Sequence, residues 1–201
     1  MQQLLLNGNS LTSVSSNLFA GLQSLRRLDL TGNALTSLPA LLFHGLNQLQ
    51  VLGLAQNQFT FRNASLAAAL SPVHLPALRI LDLSGNPLQL LHGSFSPFST
   101  QRPEAAAPAL SPTMVSSPLI RLWRNRQLAY HLQPQAQPLQ AERPWFQLRE
   151  LRMNYCGLQH VDVESLDTLG QLEVLQMSFN EIPVRFICDV LSTFTNSIKS
   201  V

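Results

Sequence analysis

The chain has 201 residues, 45% of them hydrophobic and 12% charged, with a formal net charge of +2. That is apolar material for one sizeable core, and a balance too even to single out nucleic acid, membrane or acidic substrate as a partner. Two cysteines make no disulfide framework, no uninterrupted apolar run is long enough to cross a membrane, and no charged-then-apolar leader opens the chain.

Met1 to Leu6 already follow a strand pattern, with Leu4 and Leu6 alternating about Leu5. The pattern is fullest in Leu25-Arg-Arg-Leu28-Asp-Leu30-Thr-Gly-Asn33-Ala-Leu35, which reads L-x-x-L-x-L-x-x-N-x-L. Leu28 and Leu30 point the same way from a short strand, and the Asn33 amide can bond backbone groups exposed by the turn after it. Leu35, Leu38, Phe43 and Leu46 close the coil on its far side. One coil cannot bury its own apolar edge, so it needs copies above and below.

The copies are present. Leu4, Leu28 and Leu52 stand at equal steps, 28 − 4 = 24 and 52 − 28 = 24, and Asn9, Asn33 and Asn57 keep the same step. A fourth strand centres on Leu81–Leu83, followed by Asn86. A fifth, degraded, centres on Ile120–Leu122, followed by Asn125. The sixth, Leu151–Met153, has Cys156 in the Asn place, and the seventh, Leu175–Met177, is followed by Asn180. Repeat three is longer, 81 − 52 = 29, and its extra residues include an Ala-rich helical turn at Leu66–Leu70 that Pro72 and Pro76 stop. Eight of the thirteen prolines fall between Pro97 and Pro144. Ser96–Pro118 reads as a weakly ordered excursion, Gln133–Pro138 as a shorter one, and Glu181–Asn196 as a helix. Ile198–Val201 has the pattern of a strand beginning, so both ends are expected to cut through a longer array.

These spacings predict one domain over residues 1–201, of about seven repeats, with residues 96–118 leaving it. The expected fold is an α/β solenoid: a leucine-rich repeat horseshoe with a parallel concave β-sheet and an irregular or short helical convex side. Asn9, Asn33, Asn57, Asn86, Asn125, Cys156 and Asn180 are expected to form one buried ladder of turn residues.

Catalytic and metal motifs are absent from the sequence, so neither an enzyme nor a cofactor is expected. The five histidines are scattered, and His44 and His92 each precede a Gly in a returning arm. Cys188 reads as core. Asn63-Ala-Ser65 is an N-glycosylation sequon, and Asn63 equally suits the N-cap of the helical turn after it. The best binding candidate is a cluster on the concave face. The position between the two inward leucines holds Leu5, Asp29, Gly53, Asp82, Arg121, Arg152 and Gln176 in successive repeats. Arg121 and Arg152 would then be neighbours about 4.8 Å apart, with Arg124, Arg126, Arg149, Trp123, Tyr155 and Trp145 around them. Arginines grip phosphates and aromatic rings stack on bases, so the candidate ligand-binding residues are Arg121, Trp123, Arg124, Arg152 and Tyr155. The bland alternative is a solvated strand face balanced by Glu142 and Glu150.

The regular repeat with Phe19 in Leu18-Phe-Ala-Gly-Leu22 and Phe43 in Leu42-Phe-His-Gly-Leu46 resembles the extracellular class of leucine-rich repeats. Uneven repeat lengths, the Pro-rich stretch and Leu172–Ile182 together resemble a Toll-like receptor ectodomain. That resemblance implies a single-pass membrane receptor of innate immunity. Its extracellular or endosomal horseshoe would bind a microbial ligand, nucleic acid or protein, and form homo- or heterodimers to signal. An adhesion or matrix protein of the same repeats is the alternative.

Overall fold

The computed structural model describes residues 1–61, 64–91, 145, 147–161, 166 and 169–184. By its contacts the chain divides into two units, residues 1–102 with 143–201, and residues 103–142. The strands, core and cleft described all belong to the first.

Six three-residue strands form one sheet: β1 Gln3–Leu5, β2 Arg27–Asp29, β3 Val51–Gly53, β4 Ile80–Asp82, β6 Glu150–Arg152 and β8 Val174–Gln176. All pairs are parallel, in the order β1-β2-β3-β4-β6-β8. Leu4, Leu28, Leu52, Leu81, Leu151 and Leu175 stand in register across it. Each strand is short because only its L-x-L core has the two-residue period. A second, two-stranded parallel sheet joins β5 Leu90–Leu91 to β7 His160–Val161. The α-helix α1 Ala64–Ala69 forms on the Ala-rich run of repeat three. The expected helix within Glu181–Asn196, the stretches Ser96–Pro118 and Gln133–Pro138, and Cys188 lie outside the described residues or largely so.

The core is a column of stacked leucines closed by the returning arms. In the first arm Leu18, Ala20, Leu22 and Leu25 each donate a backbone hydrogen bond three residues back, to Ser15, Asn17, Phe19 and Leu22. The second arm repeats this from Leu42 to Leu49. These tight turns set Phe19 and Phe43 in parallel, centroids 6.4 Å apart, both buried. At 25–30 cal/mol per Å² of apolar surface, each buried Phe or Leu contributes about 1.5–3 kcal/mol.

The strand expected at Ile120–Leu122 lies outside the described residues, and the place between β4 and β6 that the repeat order gives it is closed. β4 pairs directly with β6, Leu81 opposite Leu151 and Asp82 opposite Arg152, so nothing lies between them. The offset is 151 − 81 = 70, and the small sheet keeps it, 160 − 90 = 70. In sequence the Ile120 segment has the L-x-L core, but Ser117 stands where the other repeats carry a leading Leu or Met, and Gln127 where they carry the closing apolar residue. Trp145 is also reassigned: it is 2% exposed and occupies the place of Leu22, Leu46, Leu75 and Leu169, with Leu148 N–H bonded to its carbonyl. It is core, not part of a binding face.

The turn ladder forms, with different burial at its ends. Asn33 Nδ2 donates to Leu6 O (3.0 Å) of the preceding coil and to Leu30 O (2.9 Å) of its own, while its Oδ1 accepts from Leu11 N–H (3.0 Å). Asn57 and Asn86 repeat this arrangement, and Asn180 serves the coil of Cys156 in the same way. Asn57 and Asn86 are buried, but Asn9 is exposed and Asn180 half-buried. Among the described residues no coil precedes that of Asn9, so its amide bonds only carbonyls of its own turn. Asn125 lies outside the described residues. Cys156 is buried in the row, its thiol donating to Leu83 O and Asn154 O at 3.4 Å. A thiol offers no amide oxygen, and Leu88 N–H turns instead to Asn86 O at 2.8 Å.

Candidate functional site

The outward side chains of the large sheet form a strip that runs Leu5, Asp29, Gly53, Asp82, Arg152, Gln176, each opposite the next. Asp29 and Asp82 are tied down locally, accepting from Thr31 N–H (3.1 Å) and Ser84 N–H (3.0 Å). Gly53 leaves room between them. A Cβ there would lie 2.8 Å from Asp29 Oδ1, so the carboxylate already leans into the gap.

Arg152 is held by acids. Its guanidinium bonds Glu150 (Nε–Oε1 2.7 Å, Nη2–Oε1 2.6 Å) and faces Asp82 across the strand pair (Nη1–Oδ2 3.7 Å). Arg149 pairs with Glu173, and Arg27 with Asp29 at 3.5 Å. Of the two readings of this face, the balanced one fits the described residues, with Glu150 as one of the balancing groups. Arg121, Trp123, Arg124 and Arg126, and the sequon Asn63, lie outside the described residues. With β4 and β6 adjacent, Arg121 does not share the strip between Asp82 and Arg152.

Tyr155 stands elsewhere, at the turn after the strand. In six coils the residue before the ladder position is left-handed: Gly8 (φ 67°), Gly32 (69°), Gln56 (53°), Gly85 (70°), Tyr155 (55°) and Phe179 (59°). Glycine adopts this conformation freely, whereas a bulky side chain there is strained. Tyr155 and Phe179 nonetheless occupy it, are 61% and 71% exposed, and stack with centroids 4.3 Å apart and planes 5° apart. Beside them opens a cleft of about 430 Å³ between the turns of Gly85–Gln89 and Tyr155–Gln159, with Glu181 at its rim. Residue types did not announce this pair. The signal was positional: two aromatic rings one regular step apart (179 − 155 = 24), at the place where three of the four earlier coils put Gly.

Two titratable groups are perturbed. Burial pushes the Cys156 thiol up to about 11, which leaves it protonated and inert at neutral pH. His74 is pushed below the ordinary imidazole value, first by burial and then by His44, whose ring meets it edge-on at 6.0 Å. Among the described residues no group of three or more His, Cys, Asp and Glu side chains is placed to hold a metal, and no helix is long and apolar enough to cross a membrane.

Residues 1–59 match a family model described as leucine rich repeat, and residues 77–99 match a second of the same description. No curated protein sequence matches the chain. Among solved structures, a chain from the crystal structure of a TLR13–ssRNA13 complex is similar in fold, at TM-score 0.55 and 19% identity, over 99% of this chain and 24% of that one. The present chain thus spans about a quarter of the length of that neighbour. Matched segments, in-register parallel strands and the asparagine row together give the described residues the solenoid fold of leucine-rich repeats.

Proposed function

We propose that this chain is a ligand-recognising stretch of a Toll-like ectodomain, the extracellular or endosomal-lumenal part of a single-pass receptor of innate immunity that dimerises on its ligand. The observation that carries the reading is the arm geometry. Regular coils closed by stacked Phe19 and Phe43 are the extracellular form of the repeat, and the long step between β4 and β6 matches the uneven coils of that receptor class.

The solved neighbour was crystallised with single-stranded RNA. On this chain the balanced face argues for a protein ligand instead, because Arg152 already faces two carboxylates. A phosphate approaching Arg152 must displace Glu150 or overcome Asp82, both of which repel it.

Two measurements test this. Cells producing the full-length protein should retain it in carbonate-washed membranes with this segment facing the lumen or the exterior; a secreted, matrix-bound product would favour the adhesion alternative. A titration of single-stranded DNA against the chain at several salt concentrations should give no contribution from Arg152. A fall in the log–log salt slope of roughly 0.7 in Arg152→Ala, the value for one lost single-strand phosphate contact, would restore nucleic acid as the ligand of this face.

A further inference from the structure

Tyr155 and Phe179 need a reason for their conformation. A left-handed tyrosine and a left-handed phenylalanine are both disfavoured relative to the glycine used in three other coils. Their stacking returns only part of that cost. What the arrangement uniquely provides is a pair of exposed parallel rings at the mouth of a cleft.

The stack ends abruptly at Tyr155. One coil earlier the equivalent residue is Gly85, fixed in register by Gly85 N–H to Asn154 O (2.7 Å), as Tyr155 N–H is to Ser178 O (3.0 Å). Gly85 itself carries no ring, and the atoms nearest its Cβ position belong to Gln56 of the coil before, 3.3 Å away. Gly157, two residues past Tyr155, has nothing within 4 Å of where its Cβ would be. The cleft is lined by Tyr155 and not by Phe179, with the two glycines, Gly85 and Gly157, keeping it open beside Pro87.

Its rim is acidic and amide-lined. Glu181, Gln89 and Gln159 border it, and Gln159 Nε2 donates to Glu181 Oε2 at 3.0 Å, which holds the carboxylate in place. That bond uses one of the carboxylate's two oxygens, and Glu181 is exposed. Gln89 is itself left-handed, at φ 60°.

A flat cation with several N–H donors fits these features together. A guanidinium stacks on an aromatic face, donates in a fork to a carboxylate, and is thin enough for a slot one coil wide. A lysine ammonium satisfies the charge but offers no plane, and a neutral base leaves Glu181 unanswered. We infer that the cleft beside Tyr155 is a docking slot for an arginine side chain of a protein partner, held between the Tyr155 ring and the Glu181 carboxylate. The inference rests on these side chains alone and stands whether or not the receptor reading holds.

The chain has two tyrosines, Tyr130 and Tyr155, so ring-labelled tyrosine gives two sets of NMR signals, assigned with Tyr130→Phe. N-acetylarginine amide titrated into the full chain should move the Tyr155 ring signals saturably. The lysine and citrulline counterparts should bind about tenfold more weakly or not at all, having lost plane or charge. Glu181→Gln, an exposed and isosteric change that leaves the fold intact, should weaken the arginine response by a similar factor, and Tyr155→Gly should abolish guanidinium ring-current shifts. Equal responses to arginine and citrulline amides, or an unchanged response in Glu181→Gln, would overturn the proposal. So would a Tyr155 response to uridine or adenosine monophosphate without one to arginine, which would make the slot a base-stacking site.

Discussion

Leu81 and Leu151 lie opposite each other on adjacent parallel strands although their positions in the chain differ by 151 − 81 = 70. The other steps along the large sheet are short, 52 − 28 = 24 and 81 − 52 = 29 among them, and β4 and β6 are adjacent despite the 53 residues from 92 to 144 that separate their coils in sequence. In repeat two that arm is Pro39–Gly45, or 45 − 39 + 1 = 7. Replacing residues 92–144 with a copy of it gives 70 − 53 + 7 = 24, the regular step. The shortened chain should fold and unfold cooperatively, with a midpoint within a few degrees of the parent. Loss of the cooperative transition, followed by circular dichroism, would show that the replaced residues are needed to join β4 to β6.

The asparagine row sets a stability gradient that substitution can read. Asn57→Ala leaves Leu35 N–H and three carbonyls buried without that amide as a partner. The expected cost is about 1–3 kcal/mol. Asn9→Ala, at the exposed end, should cost less than about 0.5 kcal/mol. Urea unfolding of both variants gives the comparison, and equal losses would mean that burial does not set the cost.

Cys156 predicts an accessible gain. Cys156→Asn restores the amide oxygen that Leu88 N–H lacks, and should stabilise the chain by about 1 kcal/mol. In the parent the buried, raised-pKa thiol should resist alkylation at pH 8 until denaturant is added. Rapid native labelling of this thiol, read by mass spectrometry, would contradict that.

His74 should make the fold acid-sensitive. Its folded pKa lies below the unfolded value of 6.5, so the unfolded chain binds more protons below that pH. Stability contributed by the neutral ring is complete above about 6.5 and is lost as pH falls toward the folded value. His74→Phe keeps an aromatic ring at the site and removes the ionisable one. Its melting temperature should fall less than the parent's between pH 7.5 and 5. An identical fall in both would place the acid sensitivity elsewhere.

How much of this was legible in the sequence depends on which force fixed each feature. Strand positions followed from the L-x-L period, and Asn33, Asn57 and Asn86 from the turn chemistry, because both are local. The strand expected at Ile120–Leu122 shows the limit: the L-x-L core puts it between β4 and β6 in repeat order, whereas those two strands pair directly. Which strand pairs with which across residues 92–144 is decided by closure of the solenoid, and no local pattern records it. The charge state of the sheet face was half legible. Arg152 was expected on the strip, but its neutralisation by Asp82 required knowing that their strands touch. The aromatic pair escaped because Tyr155 was read for residue type alone and Phe179 was given no role, and their meaning lies in a backbone angle.

The asparagine row also has a direction. Each Asn reaches back to the coil before it: Asn33 seals the turn at Leu11, Asn57 the turn at Leu35 and Asn86 the turn at Phe59. On the ribosome, then, a coil remains unsealed until the next one has been made. At roughly 5–20 residues per second that is a delay of about 1–5 s for one regular coil. The coil of Asn86 must wait for Cys156, roughly 4–14 s at the same speeds. It is also the coil whose Leu88 N–H is satisfied by its own Asn86 carbonyl, so in the turn with this long exposure during synthesis that donor, at least, has a partner before its successor arrives.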